Sequence, residues 1–222
     1  MITHVDDEVA RVLAAMERLG LADNTVLAFL ADHGEYLGAH QLLYKCIWPY
    51  EELYRVPFVW KAPGCPGGTV VDSPVSLLDV VPTVLDYAGI GASRFDLRRY
   101  GKAERPTLPG RSLRPFIDAP SARPCTDGRT PAPDRPILVE YDEDGRPGPM
   151  VRMRTVITAA HKLTVFAGQD QGILFDLAAD PHETVNRWND PACLNIQADL
   201  LAQLACELAR TDRLDVARIS GA

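Results

Sequence analysis

The chain has 222 residues, of which 46% are hydrophobic, enough for one large domain or a domain with a small companion. A formal charge of −7 argues against a nucleic-acid partner, because phosphate binding needs a basic surface and the longest basic run is Arg98-Arg99. No run approaches about eighteen apolar residues and the acidic start is unlike a secretory signal, so the sequence as given predicts a cytoplasmic protein without membrane contact.

Residues 1–95 alternate helical and extended patterns, which is typical of an α/β domain. The run over 25–31 is almost wholly apolar and predicts a parallel strand covered on both faces. The spacing of apolar residues predicts the remaining elements in this order: a helix over 5–19 that ends at Gly20, a helical turn over 49–54, a second buried strand over 56–60 and a helix over 76–87.

Residues 96–135 are rich in Pro, Arg, Gly and Ser, which predicts a surface excursion between two units. Residues 136–222 then show short β-type runs followed by one amphipathic segment. These patterns predict strands over 137–141, 151–158, 161–167 and 172–177, and a helix over 195–210. Four antiparallel strands with a covering helix would form a small α+β subdomain.

The stretch ADHGEYLGAHQLLYK, residues 31–45, directly follows the first predicted strand. Ligands of open parallel sheets bind beyond the carboxyl ends of the strands. Neighbouring side chains of a regular strand point to opposite faces, so Gly34 would give the backbone freedom for Asp32 and His33 to reach one ion. A carboxylate and an imidazole suit Mn²⁺, Zn²⁺ or Ca²⁺, and further ligands must come from elsewhere.

Each of these residues also has an ordinary structural interpretation. An Asp after a strand is often a turn former, and a lone His is often a hydrogen-bonded structural residue. Lys45 could be a solvated surface residue, although its place between two predicted buried strands would suit a cation that meets a bound anion. The residues by themselves leave both interpretations open.

The same stretch, with the following YEELYRVPFVWKAPG, resembles the metal-and-lysine segment of the type I sulfatase family, in the alkaline phosphatase superfamily. Further stretches resemble the family in its own order: VDDEVARVLAAMERLGLADNTVLAFL, SLLDVVPTVLDYAGI, LPGRSLRPFI and GILFDLAADPHETVNRWNDP. The resemblance spans nearly the whole chain. It implies the back half of an α/β mixed-sheet domain plus an α+β C-terminal subdomain with a four-stranded antiparallel sheet.

The resemblance also implies roles for individual residues. Asp32 and His33 would be the metal ligands, Lys45 the catalytic residue that holds the anionic oxygens of the substrate, and His40 a substrate-binding or loop-organising residue. One divalent cation is implied, Ca²⁺ or Mn²⁺ before Zn²⁺, with a small sulfate ester as substrate. Many relatives that prefer Ca²⁺ have Asn in place of His33, which keeps phosphate and phosphonate esters open as alternatives.

One part of the family pattern is absent from the sequence. The nucleophile segment reads Cys or Ser, any residue, Pro or Ala, any residue, Arg, and its first residue becomes a formylglycine. No Cys here fits, since Cys65 is followed by PGGT and Cys125 by TDGR. We therefore expect a back half that is inactive alone, whether it is a truncated gene product, a sequence with a misassigned start, part of a split enzyme or a non-catalytic remnant.

Such a half should expose a free sheet edge and an apolar face. The missing N-terminal half is the partner that this expectation implies, and a homo-oligomer also stays open.

Overall fold

A computed structural model describes residues 1–65, 67–68, 70–71, 73–91, 108–118, 135–143 and 151–211. The helices are α1 Ile2–Arg18, α2 Glu51–Tyr54, α3 Val80–Tyr87, α4 Arg114–Ile117 and α5 Leu194–Thr211. The strands are β1 Leu27–Leu30, β2 Phe58–Lys61, β3 Ile137–Asp142, β4 Arg152–Ile157, β5 His161–Phe166 and β6 Ile173–Asp176. No helix among these residues has the length and apolar character to cross a membrane.

The predicted four-stranded antiparallel sheet is confirmed, with strands in the order β3-β4-β5-β6. In its register Val156, Leu163 and Leu174 stand side by side on one face. They are buried together with Leu200 and Leu204, which lie four residues apart and so on one face of α5. This helix-on-sheet cluster is the core of the C-terminal part.

The opposite face of this sheet packs against the segment that precedes α2. Trp48 meets the Phe166 ring edge-on with ring centroids 5.8 Å apart, and the Tyr50 ring lies 5.9 Å from that of Phe175. The sheet is therefore covered on both faces, by α5 on one side and by the loop that follows the predicted site on the other.

The first two strands pair differently from the prediction. β1 runs antiparallel to β2, from Leu27 opposite Lys61 to Leu30 opposite Phe58, so the expected parallel pairing is wrong for the described residues. The chain turns back on itself between the two strands, and β2 is the one neighbour of β1 among these residues.

Full burial of β1 was also a wrong prediction. Phe29 is 37% exposed, and Val59 on β2 is 58% exposed. The amphipathic α1 has no buried residue, and its Val5, Val12 and Leu13 are exposed to solvent. The apolar run does form a strand, but no described part of the chain covers it. This leaves the free edge and bare apolar face expected of an isolated half-sheet.

Most of the predicted excursion over 96–135 lies outside the described residues. Its described part, 108–118, packs against α3: the Thr83 hydroxyl accepts a hydrogen bond from the Leu113 amide at 2.9 Å, and Leu113 is buried. Asp79 accepts hydrogen bonds from the amides of Ser76 and Arg111, so the start of this helix and the later segment share one carboxylate. This part of the stretch is therefore attached to α3, and the surface excursion as a whole stays a prediction.

Leu163→Ala should lower the free energy of unfolding by about 2–5 kcal/mol, because it opens a cavity between the sheet and α5. Leu201→Ala, on the exposed side of α5, serves as the matched control and should cost about 1 kcal/mol or less. Urea unfolding monitored by circular dichroism measures both. Equal losses would contradict the placement of the core.

Candidate metal and anion site

The predicted ligands lie directly beyond the end of β1. Asp32 is exposed and His33 is partly exposed, and Oδ2 of Asp32 lies 3.7 Å from Nε2 of His33. The other carboxylate oxygen of Asp32 accepts a hydrogen bond from the His33 amide at 3.0 Å. This bond holds the carboxylate beside the imidazole, so both side chains face the same region of solvent.

The Lys45 ammonium lies 3.1 Å from Nε2 of His33. An ammonium can only donate, so Nε2 is the acceptor and the ring proton resides on Nδ1. Nδ1 lies 2.8 Å from the Gly34 carbonyl oxygen and can donate to it. The imidazole is thus held in the tautomer whose Nε2 lone pair is available to a cation.

The charge state of Asp32 suits a cation ligand. The hydrogen bond from the His33 amide is the main reason why the pKa of Asp32 lies below its ordinary value, and the charge of the neighbouring Lys45 makes a smaller contribution. The carboxylate is therefore ionised at neutral pH and binds a cation without first losing a proton.

Oδ2 of Asp32 and Nε2 of His33 can hold one metal ion between them. Their separation of 3.7 Å is shorter than two metal–ligand bonds of about 2.1 Å each laid end to end, so one ion can touch both. The described residues contain no group of three or more His, Cys, Asp or Glu side chains arranged for a metal. A closed coordination sphere therefore needs ligands beyond this pair.

Gly34 is required for a reason other than the one predicted. Its φ does not lie in the left-handed region. A Cβ here would instead lie 1.9 Å from the carbonyl oxygen of Glu52 in α2. The Gly34 amide donates to the Leu53 carbonyl at 2.8 Å, so the backbone after His33 is pressed against α2. Glycine permits this close approach.

The rest of the loop is shaped by several residues with positive φ, namely Leu37, Gly38, His40 and Gln41. The His40 ring stacks on Tyr50 with ring centroids 3.7 Å apart, and its Nε2 lies 3.4 Å from a Glu52 carboxylate oxygen. The His40 side chain is only 14% exposed. These contacts suit the loop-organising role expected of His40 better than direct substrate binding.

Sequence reasoning overlooked the residues that support this loop. The buried Tyr36 hydroxyl donates to the Trp48 carbonyl, and burial raises the pKa of Tyr36. Tyr50 and Glu52 hold His40, and Leu53 accepts the Gly34 bond. The density of aromatic residues over 44–54 was the one signal in the sequence, and it did not say which ring packs where.

Gly34→Ala should lower the free energy of unfolding by about 1–3 kcal/mol, because the new methyl group must displace α2. Gly67→Ala is the control: its Cβ would meet nothing within 4 Å. Urea unfolding of both variants provides the measurement. If Gly34→Ala is as stable as the wild type, the loop does not lie against α2 as described.

Known proteins are similar to this chain in both sequence and fold. The sequence profile of the family named Sulfatase matches residues 1–90. Choline-sulfatase of Rhizobium meliloti (strain 1021) is 31% identical over 203 residues, which are 90% of this chain and 34% of that protein.

Solved structures of other proteins are also similar to this chain. A protein solved in complex with its substrate, D-glucosamine-2-N,6-O-disulfate, superposes with a TM-score of 0.73 at 25% identity, over 99% of this chain and 41% of that one. A phosphonate monoester hydrolase from Silicibacter pomeroyi superposes with a TM-score of 0.75 at 28% identity, over 96% of this chain and 40% of that one.

The chain thus spans between about a third and two fifths of the length of these proteins and corresponds to their C-terminal part. Sequence and fold together show that it belongs to the sulfatase family of the alkaline phosphatase superfamily.

Proposed function

We propose that this chain supplies the metal-and-lysine part of the active site of a metal-dependent sulfate ester hydrolase. One observation carries the proposal: a carboxylate oxygen and an imidazole nitrogen stand 3.7 Å apart beyond β1, with the Lys45 ammonium 3.1 Å from that nitrogen. The sulfatase relatives support the reaction class.

Asp32 and His33 would hold the divalent ion, Ca²⁺ or Mn²⁺ before Zn²⁺. Bound there, such an ion supplies Lewis-acid stabilisation of the ester and activation of the nucleophile. Asp32 contributes its negative charge, and the bond from Nδ1 to the Gly34 carbonyl keeps His33 in the ligating tautomer. Lys45 places an ammonium where it can stabilise the charge that develops on the oxygens of the transferring group.

Lys45 and a metal ion would use the same lone pair of His33. His33 would therefore have either Lys45 or an ion at Nε2, and the contact at 3.1 Å would be lost with an ion in place. An ammonium close to a divalent cation would be repelled by it and attracted by an anionic ester. Lys45 would then be free to contact the substrate.

The attacking group must come from outside this chain's sequence, because no Cys here fits the formylglycine pattern. We infer that the chain is inactive alone and that a companion bearing the nucleophile and further acidic ligands completes the site. The exposed apolar residues of α1, β1 and β2 support a covering partner of this kind.

A second candidate is the hydrolysis of phosphate or phosphonate esters at the same site. Two observations favour it: an imidazole ligand at position 33, where many relatives that prefer Ca²⁺ have Asn, and the similarity to a phosphonate monoester hydrolase. Imidazole nitrogen moves the preference of a site from Ca²⁺ toward Mn²⁺ and Zn²⁺. The completed enzyme would decide between the candidates by its relative rates on 4-nitrophenyl sulfate and 4-nitrophenyl phenylphosphonate.

Asp32→Ala should weaken Mn²⁺ binding at least about tenfold, because it removes one of two ligands and its charge. Asp7→Ala, on the exposed surface of α1, removes the same charge far along the chain and should leave the affinity unchanged. Isothermal titration calorimetry measures all three proteins. Equal weakening by both substitutions would show nonspecific charge attraction, and a folded wild type that binds no divalent ion would contradict metal binding by Asp32 and His33 of this chain.

The purified chain should not turn over 4-nitrophenyl sulfate with either Mn²⁺ or Ca²⁺, since it lacks an attacking group. Release of 4-nitrophenolate, followed by absorbance, is the measurement. Asp32→Ala, assayed in parallel, distinguishes contamination from true activity. Turnover by the wild type that disappears in this variant would show that the chain is catalytic on its own.

A further inference from the structure

A lysine that the proposed chemistry does not use lies on the face of the C-terminal sheet opposite α5. Lys162 lies on β5 and its side chain is completely buried. Its ammonium lies 2.7 Å from a carboxylate oxygen of Glu51 and 2.6 Å from one of Glu183. A buried ammonium is costly unless it is paired and hydrogen-bonded, and here two carboxylates meet that need.

The two carboxylates come from distant parts of the chain. Glu183 follows β6 in the turn of the DPHET sequence, where its φ of +53° is unusual for a residue with a side chain. Its second carboxylate oxygen accepts a hydrogen bond from the Glu51 amide at 2.7 Å. Glu51 is the first residue of α2. Glu183 therefore binds both the backbone amide at the start of that helix and Lys162, which pairs with the Glu51 side chain.

This arrangement leaves one carboxylate in excess of the buried ammonium. Burial raises the pKa of Glu183, while Lys162 and the Glu51 amide oppose that shift. Loss of Lys162 would leave two carboxylates facing each other, of which that of Glu183 is buried. Loss of the Glu51 carboxylate would leave one ammonium and one carboxylate, which is a balanced pair.

α2 connects this ionic cluster to the predicted metal ligands. Leu53 accepts the hydrogen bond from the Gly34 amide, next to His33. Glu52 pairs with His40, which stacks on Tyr50. Each of these partners lies within three residues of Glu51, and α2 is only four residues long. A helix this short has little stability of its own, so its place is set by tertiary contacts.

We propose that Lys162, Glu183 and Glu51 are positioning residues for the metal site: together they fix α2, and α2 fixes the backbone on which Asp32 and His33 stand. This inference deepens the proposed function and rests on it for the link to metal binding. It assigns the C-terminal sheet a part in forming the site, although none of its residues touches the predicted ligands. The mechanical link itself requires only the contacts described.

Glu51→Ala is the test, with Glu140→Ala as its matched control. Glu51→Ala removes one of the two carboxylates that share Lys162, while Glu183 remains. Glu140→Ala removes one of the two carboxylates that share Arg154 on the same sheet, while Asp142 remains. The control therefore reports what the loss of such a contact does away from α2.

Hydrogen exchange and Mn²⁺ titration are measured on each variant. In Glu51→Ala, peptides covering residues 32–45 should exchange about tenfold faster, because the Gly34 amide loses a fixed acceptor, and those covering β4 to β6 should be unchanged. Its Mn²⁺ affinity should fall about tenfold, as is usual when the support of a ligand is lost. Glu51→Gln keeps an oxygen for Lys162 and should restore part of both, while Glu140→Ala should behave as the wild type.

Two results would overturn the proposal. Unchanged exchange over 32–45 in Glu51→Ala would show that the contact of Lys162 with the Glu51 carboxylate does not hold the loop, as the proposal requires. Equally faster exchange over β4 to β6 would show a general stabilising contact without a positioning role. If the exchange pattern is as expected but the wild type binds no Mn²⁺, the positioning of the loop is supported and Mn²⁺ binding by Asp32 and His33 of this chain is refuted.

Discussion

The contact of Lys162 with Glu51 and Glu183 is the constraint on which the relation between the two parts of this molecule depends. The core cluster lies between β4–β6 and α5, whereas β1, β2 and α1 expose much of their apolar surface. The ionic contacts attach the first part of the chain to the second. Aromatic contacts of Trp48 and Tyr50 with the sheet reinforce this attachment, and the ionic cluster gives it direction because a buried charge tolerates few alternative partners.

Much of the fold was predictable because its signals are local. The β-type runs of β4 to β6 and the spacing of Leu200 and Leu204 follow directly from strand and helix geometry. The pairing of β1 was not predictable. An apolar run indicates that both faces of a strand are covered, but it does not indicate which strand pairs with it. The anchored segment 108–118 was missed for a similar reason: its support is a pair of distant side chains, Asp79 and Thr83.

The predicted site likewise has some features that the sequence indicates and others that it does not. That Asp32, His33 and Lys45 face one another was foreseeable from a strand end and a family resemblance, and their distances agree with it. The need for Gly34 was foreseen with the wrong cause, because the collision that a methyl group would suffer involves Glu52, eighteen residues later. Lys162 could not have been identified, since a lysine in a β-type run is ordinarily solvated and its partners lie far away in the sequence.

The order of the chain gives the ionic cluster one more consequence. During synthesis the loop that carries Asp32 and His33 leaves the ribosome well before β5 and the turn at Glu183. Until Lys162 has emerged, Glu51 has no buried cation to pair with. α2, which supports the loop, then lacks this ion pair. The loop is thus synthesised before the residues that position it. A nascent chain that ends before β5 contains the residues of the site without their arrangement.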